Sequence, residues 1–112
     1  MRKIDAIISP AQLEAVRESL IAVGFEGLTV TEVFRPGSEA GPQPCYRGQP
    51  TSSGLLRRTK IEIVVRDDEA DDAIRIISDA ARVGSEQGGD IFVYQLSETY
   101  RIRNQQRDEA AI

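Results

Sequence analysis

Lys60-Ile61-Glu62-Ile63-Val64-Val65 alternates charged and branched apolar residues and closes on two valines, the pattern of a β-strand with one face turned to a core. The chain before it is different in kind. From Arg35 to Gly54 there are four prolines (Pro36, Pro42, Pro44, Pro50), four glycines and almost no aliphatic side chain. That stretch is too long for a hairpin turn and too polar for a core element, and its prolines oppose a helix, so it reads as a long functional loop. Further back, Leu28-Thr29-Val30-Thr31-Glu32-Val33 is a second β-branched strand. Leu13, Val16, Leu20 and Val23 precede it at helical spacing, which predicts a helix with one apolar face. Ser9 is placed to cap that helix, with Pro10 at its first position and Gly24 as its stop. At the start, Ile4, Ala6 and Ile8 alternate with Lys3, Asp5 and Ile7 as a first strand.

Read forward from Val65, Asp67 or Asp68 is positioned to cap a second helix whose buried stripe is Ala70, Ala73, Ile74, Ile77 and Ala81. Val83 to Gly89 is punctuated by glycine, Ile91-Phe92-Val93-Tyr94 is a fourth strand, and Tyr100-Arg101-Ile102-Arg103 reads as a short extra one. The order is β-α-β-β-α-β, an α+β ferredoxin-like arrangement with the long loop between its second and third strands. Two helices would cover one face of the sheet. The other face also carries apolar side chains and needs cover, for which packing against other subunits is one solution.

With 112 residues the chain is the size of one domain, expected to span 1–112. Eighteen Asp and Glu outweigh 14 Lys and Arg, a formal net charge of −4, which speaks against general affinity for nucleic acid. One cysteine, Cys45, forbids an internal disulfide and any cysteine-cluster metal site. The absence of histidine removes Ser-His and Cys-His catalysis and the common zinc sites. No stretch approaches a membrane span and the first residues lack the apolar run of a signal peptide, so the expected location is the cytoplasm. Carboxylate or arginine chemistry, or simple binding, remains.

Several strings then coincide in order and spacing. Met1-Arg2-Lys3-Ile4-Asp5-Ala6-Ile7-Ile8-Ser9-Pro10, Gly27-Leu28-Thr29-Val30-Thr31-Glu32-Val33, Tyr46-Arg47-Gly48, Lys60 to Val65, Ile91-Phe92-Val93 and Arg101-Ile102-Arg103 follow one another without an obvious gap. Together they resemble the PII signal-transduction family of nitrogen regulatory proteins, commonly opening MKKIEAIIKP and carrying GMTVTEV, YRG, KIEIVV, KIFV and RIR. The resemblance implies a homotrimer that binds adenine nucleotides (AMP, ADP or ATP) in clefts between subunits. It also implies a large T-loop, here about 36–54, that docks on a membrane transporter or a metabolic enzyme, and no prosthetic group or catalytic role.

The resemblance further implies the site. Thr29 and Val64 match positions near the adenine, Glu62 is a further expected nucleotide-binding residue, Gly37 matches a loop-base glycine close to the phosphates, and Gly88 and Gly89 the second phosphate-cradling turn. Arg101 and Arg103 match arginines that reach the polyphosphate; two apart in an extended segment, they would share a face. Glycine admits close backbone approach and guanidinium forks grip phosphate oxygens bidentately, so the chemistry is coherent. Each residue also has a plainer reading: Thr29 and Val64 as ordinary strand residues, the glycines as a helix-to-strand turn, the arginines as a solvated pair.

The departures from the family pattern cluster at the phosphates. Gln87 stands for a glycine, and Asp90 for a phosphate-binding lysine whose contact is worth about 1.5–3 kcal/mol. At the loop base Ser38 replaces a basic residue and Glu39 a glutamine associated with Mg and 2-oxoglutarate, while Arg58 replaces a lysine. These changes predict a regulator that favours AMP or ADP over ATP, with Arg35 or Arg58 as possible compensation for the missing lysine. A carbon-sensing, bicarbonate-responsive member of the carboxysome-associated PII-like subgroup is the alternative, and a slow nucleotide hydrolase a weaker one. Thr51 occupies the position of the modifiable loop tyrosine, which excludes uridylylation of a tyrosine there. Tyr46 and Arg47 are the expected partner contacts, with an ammonium or bicarbonate transporter as the candidate target.

Overall fold

A computed structural model of the chain describes residues 1–36, 45–46, 49–50, 54–82 and 89–108, with the backbone alone for 45–46 and 49–50. In chain order the strands and helices are β1 (Arg2–Ile8), α1 (Leu13–Ala22), β2 (Thr29–Pro36), β3 (Cys45–Tyr46), β4 (Gln49–Pro50), β5 (Leu55–Val65), α2 (Ala70–Arg82) and β6 (Asp90–Gln95). Short 3₁₀ turns, Pro10–Gln12 and Asp67–Glu69, lead into the two helices. The main sheet has the order β2-β5-β1-β6 with antiparallel pairing throughout. This is the expected α+β framework. The loop between β2 and β5 holds one small addition, a ribbon pairing Cys45 with Pro50 and Tyr46 with Gln49. An extended backbone at Gln49 is what a following proline favours.

The alternation in β5 sorts the two faces. Ile61, Ile63 and Val65 are buried beneath the helices, while Lys60, Glu62 and Val64 point to the opposite, open face. Register extends this to β1, where Ile4 pairs with Ile63 and Ala6 with Ile61. Ile4, Ala6 and Ile8 join Val16 and Leu20 of α1 and Ala70, Ala73, Ile77 and Ala81 of α2 in one core cluster.

The helix ends follow local chemistry. Ser9 Oγ accepts from the Ala11 N–H at 3.3 Å with Pro10 at the first position, as its sequence suggests. At the other end, the Phe25 N–H bonds Leu20 O and the Gly24 N–H bonds Ile21 O, each at 3.0 Å, around Gly24 at φ +98°. That pair of bonds is a Schellman closure, which needs a left-handed residue and therefore glycine. It ends α1 before Val23, so Val23 is 56% exposed instead of completing the apolar stripe. Phe25, turned back by the closure, packs on the core in its place.

Two further expectations are corrected. Neither Asp67 nor Asp68 serves as the cap expected before the second helix: both lie in the 3₁₀ turn that leads into it, whose cap residue is Arg66, and Glu69 Oε1 accepts the Arg66 N–H at 3.3 Å. Asp67 instead holds the N-terminal ammonium of Met1 at 2.8 Å, and Asp68 pairs with Arg66 at 3.3 Å. Tyr100 to Arg103 is not a strand. Tyr100 bridges to Arg107 while the Gln105 N–H bonds Arg101 O at 2.7 Å, making a tight reversal with Gln105 at φ 59°. Asn104 Oδ1 accepts the Gln106 N–H at 3.1 Å, a side-chain turn that competes with sheet pairing.

Ile61 lies at the middle of this core with no exposed surface. Ile61→Ala is expected to cost about 2–5 kcal/mol, read as a lowered urea midpoint at fixed protein concentration.

Candidate functional site

Cross-strand register arranges the open face in rows. One row runs Thr29, Glu62, Asp5, Phe92 across β2, β5, β1 and β6, and the next runs Thr31, Lys60, Ile7, Asp90. Lys3 lies between Val64 and Tyr94, and Arg58 lies opposite Val33. Five expected site residues, Thr29, Arg58, Glu62, Val64 and Asp90, therefore share one face. Phe92 and Tyr94 on the same face are 45% and 48% exposed, so no element among the described residues closes it there.

At the middle of this face is an ionic cluster. Lys3 Nζ lies 2.7 Å from Glu62 Oε2 and 3.5 Å from Asp5 Oδ1, and Lys60 Nζ is 3.8 Å from Glu62. The Lys3 ammonium also sits 5.3 Å from the centre of the Tyr94 ring, within cation–π reach. Asp5 is buried, and its Oδ1 has no hydrogen-bond partner among the described residues. The hydrogen bond with Lys3 holds the Glu62 carboxyl below the usual carboxylate range. The same bond raises the Lys3 ammonium above the usual lysine value.

A second feature lies at the sheet's end. β1 pairs with β5 only as far as Ile8 opposite Thr59, whereas β2 and β5 run on together to Pro36 opposite Leu55. The overhanging ribbon carries Arg35 across to the start of β6, where its Nη1 meets Asp90 Oδ2 at 2.6 Å. Asp90 thus stands as an ion-pair partner, not as an isolated negative charge. Beside it, Gly89 has φ +104°, and a Cβ there would collide with the carbonyl oxygen of Ile7. Glycine is needed at this position for chain packing, whatever else the turn does.

The remaining expected residues separate. Arg101 and Arg103 belong to the reversal after β6, with Arg101 half-buried and Arg103 exposed, so the shared face expected from an extended segment does not arise. Gly37, Ser38, Gly88 and Arg47 lie outside the described residues, and Tyr46 is placed by backbone alone, opposite Gln49. Lys3, Asp5, Lys60 and Tyr94 were not among the expected site residues, while Arg35, expected only as a substitute for the missing lysine, meets Asp90 itself. The first three were findable, because period-two alternation puts Lys3 with Asp5 and Lys60 with Glu62. The Arg35–Asp90 pair spans 55 positions and has no local signal. Among the described residues no group of three metal-ligating side chains comes together, and no helix is long and apolar enough to cross a membrane.

A βαββαβ frame with an open, charge-lined sheet face and a proline-rich insertion at its rim is a platform for binding. The family model described as nitrogen regulatory protein P-II matches residues 1–106. The chain is 43% identical to nitrogen regulatory protein GlnK of Escherichia coli K12 over 112 residues, the full length of both. Nitrogen regulatory protein P-II 1 of the same strain and nitrogen regulatory protein P-II of Klebsiella oxytoca are each 45% identical over the same full span. The chain belongs to the P-II family of nitrogen regulatory proteins, whose members are trimeric regulators that interact with transporters and enzymes.

Two outcomes follow from this geometry. Because Glu62 is depressed in the fold, its contribution is present above the ordinary carboxylate value and is lost as pH falls through the folded one. Lys3, raised in the fold, contributes below the ordinary lysine value and loses that contribution as pH rises through its folded one. Urea midpoints of the wild type are expected to fall more steeply than those of Lys3→Met between neutral and strongly acidic pH. Separately, Gly89→Ala is expected to destabilise the protein by about 1–3 kcal/mol, visible as a lowered thermal midpoint.

Proposed function

We propose that the chain acts as one unit over 1–112, in the cytoplasm, as a trimeric regulator that binds adenine nucleotides between subunits and favours AMP or ADP over ATP. Its open sheet face is turned toward neighbouring subunits, and it controls a transporter or an enzyme through the 36–54 segment. Thr29, Glu62 and Val64 would face the base; Gly37, Ser38, Arg58, Gly88, Gly89 and Asp90, with Arg101 and Arg103, would surround the phosphates; Tyr46 and Arg47 would meet the target. The observation that carries the nucleotide preference is the carboxylate of Asp90 held at the sheet's end. A polyphosphate entering there must compete with that carboxylate for Arg35, and each further phosphate charge raises the repulsion from Asp90 once Arg35 is taken.

Full-length likeness to proteins named as nitrogen regulators supports a nitrogen-linked target over a carbon-linked one. Binding and not catalysis is the favoured activity, because the carboxylates of the open face are held in ion pairs, Asp5 and Glu62 with lysines and Asp90 with Arg35.

Isothermal titration with AMP, ADP and ATP, each with and without Mg, 2-oxoglutarate and bicarbonate, tests the reading. Tighter binding of AMP or ADP, indifferent to 2-oxoglutarate, is the expected result. ATP binding strengthened by Mg and 2-oxoglutarate would reject the preference. A bicarbonate effect would move the target to inorganic carbon.

A further inference from the structure

We propose that Arg35 is an oxyanion-recognition residue and that Asp90, its ion-pair partner, sets how much negative charge the position accepts. The ligand class is a phosphate-type oxyanion; that the natural ligand is a nucleotide rests on the function proposed above.

Position comes first. Arg35 and Arg58 are diagonal neighbours on the same face, since Arg35 lies opposite Leu56 and Arg58 opposite Val33, and Lys60 follows Arg58 two residues on. Among the described residues three cations therefore line the end of the face. The carboxylates among them are Asp90, on Arg35, and Glu62, which Lys60 shares at 3.8 Å with Lys3 at 2.7 Å. The local balance is positive and suits an anion.

The pair is built to exchange. Asp90 engages one guanidinium nitrogen, Nη1, at 2.6 Å, so the fork keeps donors for a second oxygen. The two side chains are 43% and 53% exposed, and an ion pair this wet holds by a factor of only about two to five. A phosphate group, with more charge and paired oxygens, is the better partner for a guanidinium than a single carboxylate. When it takes Arg35, Asp90 stays close, because Gly89 is packed against the backbone of Ile7 and fixes the start of β6. Its carboxylate then repels the bound anion, more strongly as the anion's charge rises.

The test uses the full chain and its Asp90→Asn, Arg35→Ala and Arg57→Ala variants, titrated calorimetrically with AMP, ADP, ATP and inorganic pyrophosphate. Arg57 is the control: it carries the same charge on the same ribbon but faces the other side, paired with Glu32 at 3.2 Å. Asp90→Asn, nearly isosteric, is expected to tighten ATP and pyrophosphate about tenfold and AMP by about threefold or less, narrowing the preference. Arg35→Ala is expected to weaken every anion about tenfold, with Arg57→Ala near wild type. Equal binding by Arg35→Ala and wild type would overturn the proposal, as would equal losses in Arg35→Ala and Arg57→Ala. Equal gains for AMP and ATP in Asp90→Asn would overturn the role of Asp90. If the wild type binds pyrophosphate through Arg35 but no adenine nucleotide, the nucleotide reading fails and this one stands. If it binds neither, both fail.

Discussion

The pairing register of β5 is the constraint on which the rest of the structure depends. This strand is bonded to β1 on one side and β2 on the other, so its phase is imposed on three strands at once. In the observed register Ile61, Ile63 and Val65 lie under the helices and Lys60, Glu62 and Val64 lie outside. A slip of one residue would drive Lys60 and Glu62 into the core and expose the isoleucines, a cost no local adjustment could offset. The same register that builds the core therefore assembles the charged rows of the open face.

Those charges are arranged so that the face can lose water without stranding ions. Lys3 reaches both Glu62 and Asp5, and Lys60 reaches Glu62, so carboxylates and ammoniums alternate in the middle of the sheet. Removing a lone ion from water costs far more than removing a paired one. Asp5 is the exception in detail: it is buried, and one of its oxygens lacks a hydrogen bond among the described residues.

How far the sequence alone reached depended on the range of the signal. Strands and helices were legible because alternation and 3.6-residue periodicity are written within a few residues; Ile4, Ala6, Ile8, Ile61 and Ile77 all occupy the core as patterned. Capping was only half legible. Ser9 behaved as expected, but Asp67 was drawn to the N-terminal ammonium, a partner 66 positions away, and Glu69 satisfied the helix start instead. Val23 had helical spacing yet fell beyond a closure set by Gly24, and the run at Tyr100 had strand-like spacing yet turns back so that Tyr100 bridges Arg107. For the site, alternation placed Thr29, Glu62 and Val64 on one face. The Arg35–Asp90 contact depends on how far the β2–β5 ribbon overhangs β1, which no local pattern encodes.

That overhang gives the departures from the family pattern a joint meaning. Taken singly, an acid at position 90 in place of a phosphate-binding lysine looks like loss of an anion site. The structure places Arg35 against it at 2.6 Å, so the end of β2 brings positive charge to the start of β6. The two positions differ mechanically. Asp90 is anchored by Gly89, whose backbone packs against Ile7, whereas Arg35 sits one residue before Pro36 at the mouth of the long loop. A cation at the anchored strand would bind an anion without involving the loop. Arg35, by contrast, is paired within β2 opposite Leu56 and stands one residue before the strand's last residue, Pro36, so the cation at this end of the sheet belongs to the strand that leads into the 36–54 segment.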